Sequence, residues 1–466
     1  MSLRLLPLAT LLLAGLAPLM GAPAPRPNII FIMADDLGWR DVGFAGNPYV
    51  ETPHLDRLAK DGLRFTQAYQ QTVCSPTRAA LLTGQHPVRV NMTDFLKAKD
   101  TRFLSPDLPT LPKRLMAAGY RTGLIGKWHL TDDYTKPDGG NGRPQQHGWD
   151  EVICSETRWI GPGYYFPPYQ HQPELEPLRG REYLTERLNH EAVEFIGRNR
   201  NVPFFLYLAH YAPHTALRAR EEFVRYFEKK PGAGKRTGPG SDTNNPVLAA
   251  MIRAIDDGVG EIRAQVESLG LAGRTLILFT SDNGGEAVRQ KSSASGREAR
   301  GVTSVAPLRG GKSHLYEGGI RVPLVAHWPG VIAPGRVEAT PVNGLDFYPT
   351  WLELAGAPAP SGVSLDGHSL VPLLRGTGPR PPSPMFWHYP RSEPHFLGGV
   401  SASALRDGDW KLLRFHADQR LELYNLRQDE GEKHNLAAQE PERARQMAAM
   451  LDSFLAGAQP RTNPAP

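Results

Sequence analysis

Apolar residues along the chain fall into two kinds of run. Ile29-Ile30-Phe31-Ile32-Met33, Phe204-Phe205-Leu206-Tyr207-Leu208 and Leu276-Ile277-Leu278-Phe279 are continuous, of strand length and without a polar face. That is the pattern of central parallel strands buried on both sides. Residues 122–125 and 321–327 read as further strands. Elsewhere apolar positions recur at helical spacing: Leu184, Leu188, Phe195 and Ile196 within 183–196, and Met251, Ile252, Ile255, Val259, Ile262, Val266 and Leu269 within 247–269. Residues 108–118 also read as a helix. Strands alternating with helices of this length predict an α/β fold, a large, mostly parallel mixed sheet sandwiched by helices.

The pattern changes toward the C-terminus. Behind proline-rich punctuation at 356–360 and 376–384, residues 385–388, 411–415 and 421–424 read as short strands and 440–455 as a closing helix. This predicts a smaller C-terminal α+β domain with a short antiparallel sheet, dividing the chain into 26–376 and 380–460. Residues 229–246, rich in glycine, proline and lysine, read as a surface loop. Residues 1–22 carry one charge, Arg4, ahead of a leucine- and alanine-rich run, the layout of a secretory signal peptide. Pro7 and Pro18 interrupt that run, so export to the periplasm or medium is expected without stable membrane insertion.

Composition adds little but excludes some classes. With 466 residues, 40% hydrophobic, the chain can bury a large core. Its net charge of +5 comes from 53 basic and 48 acidic residues without a basic run, so no nucleic-acid partner is expected. The two cysteines, Cys74 and Cys154, allow at most one disulfide.

Candidate chemistry gathers where strands end. The run from Ile29 ends in Asp35-Asp36, and the run from Leu276 ends in Asp282-Asn283-Gly284-Gly285. Ligand sites in open α/β sheets lie outside the carboxyl ends of strands. Either pair alone reads as a turn or a cap, but the repetition points to an all-oxygen site for a hard divalent cation. Gly126-Lys127-Trp128-His129 follows another strand end, and the strand from Phe204 runs into His210 and Pro213-His214. Glycine pairs flank Lys312 in Gly310-Gly311-Lys312 and Gly318-Gly319, allowing a tight backbone that presents an ammonium to a cleft. Cys74 opens a short helix in which Ser75 can cap, Pro76 suits the first position and Gly84 is the stop. With Arg78 beside it, Cys74 can sit in an anion-holding site; it can equally be an ordinary buried cysteine or bridge to Cys154.

Cys74-x-Pro76-x-Arg78 followed by Leu82-Thr83-Gly84 resembles the signature of the formylglycine-dependent sulfatases, the arylsulfatase-like type I family of the alkaline phosphatase superfamily. Asp35-Asp36, Gly126-Lys127-Trp128-His129, Ala212-Pro213-His214, Asp282-Asn283-Gly284, Arg309-Gly310-Gly311-Lys312 with Glu317-Gly318-Gly319, and Glu422-Leu423-Tyr424-Asn425-Leu426 follow in the family's order over nearly all of the mature chain. Thr77 departs from the commoner serine.

The resemblance implies an alkaline phosphatase-like fold and a sulfuric ester hydrolase. It implies that a formylglycine-generating enzyme oxidises Cys74 to formylglycine, which sets a Cys74–Cys154 bridge aside and leaves Cys154 a lone buried thiol. Calcium would be bound by Asp35, Asp36, Asp282, Asn283 and the modified Cys74. Asp282 would accept the proton of the attacking hydrate hydroxyl, and Arg78 would orient the hydrate. Lys127, Lys312 and His214 would grip the sulfate, with His214, assisted by Lys312, protonating the leaving alcohol. His129 would deprotonate the second hydroxyl to release sulfate. The expected substrate is a sulfated carbohydrate, of galactose type from similarity in the Phe386-Trp387-His388-Tyr389-Pro390 segment. That segment can form a sugar-stacking rim or equally pack in the core, and the aromatic run 159–169 can join the rim or equally be an aromatic loop. A phosphodiesterase or phosphonate monoester hydrolase shares the fold. A non-enzymatic carbohydrate-binding relative would show losses among these positions, and the sequence has none.

Overall fold

The computed structural model describes residues 26–458 except 134–135, 137–139, 154, 157–164, 170, 173–174, 179, 181, 238–241, 288–289, 292–297 and 300. The signal-like segment 1–22 and Cys154 lie outside the described residues.

A nine-stranded sheet forms the centre among the described residues. Its path runs Arg336–Glu338, Leu63–Tyr69, Arg321–His327, Thr275–Ser281, Asn28–Ala34, Phe204–Ala209, Arg121–Gly126, Glu151–Ile153, with Val342–Asn343 also paired to Leu63–Tyr69. Asn28–Ala34 is parallel to both its neighbours, whereas Arg321–His327 runs antiparallel to Thr275–Ser281 and to Leu63–Tyr69. The sheet is therefore mixed and mostly parallel. Alternate side chains of the central strand feed two cores, as the two-residue period requires. Ile29, Phe31 and Met33 pack with Leu81, Leu82 and Trp351 on one face; Ile30 and Ile32 pack with Leu188, Ile255 and Ile262 on the other. The helices Cys74–Thr83, Leu111–Ala117 and Phe347–Ala355 contribute to the first core, and Pro53–Asp61, Leu184–Arg198 and Pro246–Ser268 to the second.

Register fixes what happens at the sheet's edge. Ala34 pairs with Ser281 and Met33 with Ala209, so Asp35 and Asp282 leave adjacent strands at the same level, with His210 leaving the third strand one residue before them.

The C-terminal sheet is antiparallel throughout, in the order Met385–Tyr389, Ala402–Asp407, Trp410–Phe415, Leu421–Asn425. Helix Pro441–Gly457 covers one face through Met447 and Leu451, and the other face packs on Tyr69, Val73 and Leu315. A buried ionic cluster stitches the two parts together. Lys411 Nζ lies 2.9 Å from Glu317 Oε1 and from Glu432 Oε1, Glu317 N donates to Glu432 Oε2, and Tyr69 Oη donates to Glu317 Oε2. Trp387 Nε1 donates to Gln70 O at 2.8 Å, four residues before Cys74. In the segment expected as a loop, 236–237 and 242–243 pair as a short hairpin ahead of the long helix. Among the described residues, no helix is long and apolar enough to cross a membrane.

Candidate active site

Helix Cys74–Thr83 is buried along its whole length. It starts two residues earlier than the sequence suggests, with extended Val73 as the N-cap and no side-chain cap. Ser75 is thus inside the helix, where its Oγ donates to His129 O at 2.9 Å and accepts from Leu96 N at 3.1 Å. Gly84, at φ 64, ends the helix by donating to Ala80 O. Thr77 Oγ1 donates to Asp282 O at 2.6 Å and accepts from Gln71 N at 3.0 Å, work that any hydroxyl residue could do.

Arg78 does not turn to the thiol. Its Nη2 donates to Asp282 Oδ2 at 2.8 Å, and its Nη1 donates to Lys127 O at 2.9 Å and contacts Tyr207 Oη at 3.3 Å. Cys74 is a free, buried thiol whose Sγ lies 3.5 Å from Asp35 Oδ1. Burial, and then the Asp35 charge, push this thiol well above its ordinary range despite Lys127 and Lys312. An unmodified Cys74 is therefore a protonated thiol rather than the stabilised anion expected from its helix position.

Four ligand-bearing side chains, Asp35, Asp36, Cys74 and Asp282, are buried with their donor atoms all within 4.8 Å of one another. Asp36, at φ 66, donates its N–H to Asp282 Oδ1 and accepts from Asn283 Nδ2 at 2.8 Å. Asn283 Oδ1 is buried with no hydrogen-bond partner. Two ammonium groups close the cluster: Lys127 Nζ lies 2.5 Å from Asp35 Oδ2, and Lys312 Nζ 2.6 Å from Asp36 Oδ2. Burial raises the Asp35 and Asp36 carboxyls, but Lys127, Lys312 and His214 outweigh it and hold both below the usual range. The same pairings hold both lysines firmly protonated against the effect of burial. Three carboxylates and an orphaned amide oxygen form a hard donor set that fits calcium; the thiol is the soft exception.

The histidines stand on either side. His214 Nε2 lies 3.6 Å from Asp36 Oδ2, and its carbonyl accepts from Tyr165 Oη. His129, at φ 61, directs Nε2 to Leu96 O at 3.0 Å, which assigns the ring proton to Nε2 and the lone pair to Nδ1. Burial and the Lys127 charge push it well below its ordinary range, so it is neutral. His210 emerges from the neighbouring strand but is buried outside this cluster. Lys312 is set by its glycines: its N–H donates to Gly285 O, and a Cβ on Gly284 would collide with Gly318 O. The two glycine motifs are thus packed on each other.

Sequence reasoning passed over Glu286 and Tyr207. Glu286 Oε1 accepts from Thr215 Oγ1 at 2.9 Å, and burial first, then Asp36, raises its carboxyl. Its signal was its place directly after Asp282-Asn283-Gly284-Gly285.

Of the two readings of 386–390, the structure shows core packing rather than a rim. Trp387 and Tyr389 are 2% exposed, and Phe386 stacks on Phe454 at 3.9 Å, because Met385–Tyr389 is a core strand. Residues 157–164 of the other run lie outside the described residues, and Tyr165 and Tyr169 are buried. A groove of about 840 Å³ lined by Phe166, Leu217, Arg218 and Val247 begins two residues beyond His214.

Known proteins agree with this geometry. The model of the sulfatase family matches residues 27–357, and that of the N-sulphoglucosamine sulphohydrolase C-terminal region matches 311–459. Arylsulfatase A of Homo sapiens is 36% identical over 473 residues, covering 92% of this chain and 86% of that protein. The crystal structure of Ps i-CgsB in complex with k-i-k-neocarrahexaose has a TM-score of 0.77 and 31% identity, covering 93% of this chain and 94% of that one. The phosphonate monoester hydrolase of Agrobacterium radiobacter, with a TM-score of 0.66, 20% identity and coverage of 93% and 96%, shares the fold. With a family match over most of its length and a relative of this identity along nearly all of it, the chain belongs to the arylsulfatase-like sulfatases of the alkaline phosphatase superfamily, enzymes that hydrolyse sulfuric esters.

Proposed function

We propose that the protein removes sulfate from a sulfated carbohydrate after export by its segment 1–22. We take 26–376 as the catalytic unit and 380–460 as its C-terminal subdomain, and a formylglycine-generating enzyme as the maturation partner. One observation carries the reading: Lys127 Nζ, Lys312 Nζ and His214 Nε2 converge on the buried carboxylates that surround Cys74 Sγ. The likeness to Ps i-CgsB, solved with a bound oligosaccharide, supports the carbohydrate part.

Asp35, Asp36, Asp282 and Asn283 Oδ1 would hold calcium, which would polarise the sulfate oxygens and favour the deprotonated nucleophile. Formylglycine at position 74 would supply an oxygen nucleophile in its hydrate, and would replace the one soft donor of the cluster with a hard one. Lys127 and Lys312 bring two positive charges to the sulfate oxygens as negative charge builds there. His214, with Nδ1 turned to Thr215 O and Nε2 beside Asp36, would as the imidazolium give its Nε2 proton to the departing alcohol. Arg78 fixes Asp282, the proton acceptor for the nucleophile. Neutral His129 takes up at Nδ1 the proton whose removal completes turnover.

The test has two parts. The peptide carrying Cys74, from protein made in its own host, is expected lighter by exchange of sulfur and two hydrogens for oxygen. The variant Cys74→Ser is expected to lose turnover of 4-nitrophenyl sulfate; turnover at the wild-type rate would sink the reading. Matched aryl phosphate and phosphonate esters, hydrolysed faster than the sulfate, would favour the phosphonate hydrolase alternative.

A further inference from the structure

Phe396 is the most exposed large apolar side chain among the described residues, at 68%. An exposed phenylalanine is ordinarily unremarked, but this one is supported by a buried ring. Its ring stacks on His395 with centroids 4.1 Å apart and planes at 30°. His395 is buried, its Nδ1 accepts from Leu397 N at 3.0 Å, and its other neighbour is the Phe95 ring, edge-on at 5.4 Å. The loop that carries both is closed on itself by Gly398 N donating to His395 O and His395 N donating to Gly399 O.

The same loop is tied to the site from two sides, near His129 and near Lys312. Arg391 pairs with Asp94, and Phe95 is followed by Leu96, whose carbonyl accepts from His129 Nε2. On the other side Gly399 N donates to Ser313 Oγ, next to Lys312, and Gly398 packs against His314. The His395 ring is near enough to Lys312 and Asp36 to feel both charges. Val400, also exposed at 41%, extends the apolar surface along the loop. The loop that carries the exposed Phe396 ring thus reaches from the His129 side to the Lys312 side of the site.

We infer that Phe396 is a stacking platform for a pyranose ring of the saccharide whose sulfate ester is bound at Lys127 and Lys312. The occupant follows from the neighbourhood. A sulfate held by the lysines leaves its sugar at the rim, and the C–H face of a pyranose is the apolar surface such a sugar offers to an aromatic ring. The inference rests on the sulfated-carbohydrate reading above and names one residue that recognises its sugar.

The experiment uses the full-length mature enzyme and sulfated hexasaccharides from carrageenan, chondroitin sulfate and heparin as probes. Phe396→Ala is expected to raise KM for the best-hydrolysed hexasaccharide about ten-fold, as loss of one aromatic contact implies, with Phe396→Tyr restoring it to within about two-fold. Tyr226→Ala, which removes an aromatic 52% exposed on helix Glu221–Glu228, is the control and should leave KM unchanged. Phe396→Trp supplies a readout independent of turnover: its fluorescence should change saturably with the same hexasaccharide. A KM within about two-fold of wild type for Phe396→Ala overturns the inference, as does a Phe396→Trp emission indifferent to all three saccharides. Wild-type turnover of 4-nitrophenyl sulfate keeps the two readings apart: with it intact, a silent saccharide response removes the platform and leaves the sulfatase.

Discussion

Arg78 Nη2 donates to Asp282 Oδ2 over 2.8 Å, joining the cysteine helix to a strand end 204 residues later, with both side chains out of reach of water. A buried pair of this kind contributes little net stability but is costly to halve. Arg78→Ala is expected to lower unfolding stability by ~3–5 kcal/mol, because Asp282, whose carboxyl burial already raises against the pull of Arg78, would be left buried without its partner. Arg78→Lys keeps the charge but has no fork with which to reach Lys127 O and Tyr207 as well. It should fold, with kcat/KM on 4-nitrophenyl sulfate down about a hundred-fold, the scale of an ångström-sized misplacement. Urea unfolding and steady-state kinetics on the two variants check both statements.

Calcium should stabilise the fold itself. The carboxylates of Asp35, Asp36 and Asp282 are crowded within a few ångströms, and Asn283 Oδ1 is buried without a donor. A cation that binds only the folded chain adds about 2.7 kcal/mol at a hundred times its Kd. Calcium is therefore expected to raise the Tm of chelator-treated protein by several degrees, and Asn283→Ala should blunt the rise. A Tm indifferent to both calcium and chelator excludes a resident cation at these residues.

Gly284→Ala tests the contact between the two glycine motifs. A methyl group there would meet Gly318 O, and the backbone that it displaces leads through Gly285 O to Lys312 N. Stability should fall by ~1–3 kcal/mol, the usual cost of overpacking, and KM for sulfate esters should rise as Lys312 Nζ shifts. Gly273→Ala, with nothing near its Cβ, is the control expected to change neither.

These motifs were legible in the sequence because their chemistry is local. Asp35-Asp36 and Asp282-Asn283 each follow a continuous apolar run of strand length, the pattern of a central strand. That they meet depends on the Ala34–Ser281 register, which no local pattern writes. Strand Leu63–Tyr69 escaped notice because Arg64, Thr66 and Gln67, which are partly exposed, break its apolar run. Ser75 was taken for a cap because it has a capping residue's chemistry; Val73, already extended, holds that place instead. In Met385–Tyr389 the two-residue alternation that buries Trp387 was visible, and reading it as a strand argued against a solvent-facing rim. Phe396 had no signal of its own, since its exposure and its support by His395 are properties of the assembled loop.

The last prediction concerns Glu432, where two buried carboxylates share one lysine. Burial, opposed by Lys411 and reinforced by the Glu317 charge, pushes the Glu432 carboxyl up to about 7 from an ordinary 4.5. Glu317 is held below its usual range because burial is outweighed by Lys411 and Arg406. The folded state therefore holds a proton on Glu432 at pH values where the unfolded chain has released it. More protons bound when folded means that stability falls as pH rises. The contribution is whole below about pH 4.5, declines through neutrality and is gone above about pH 7. Glu432→Gln keeps an oxygen that can accept from Lys411 or from Glu317 N, yet has no charge to bury. Its Tm should be close to that of wild type at pH 4.5 and exceed it at pH 8, by an amount equivalent to about 1–3 kcal/mol. Thermal melts of both proteins across that range measure the difference directly. A Tm difference that stays constant with pH rules out a proton shared at the join between the catalytic body and the C-terminal sheet.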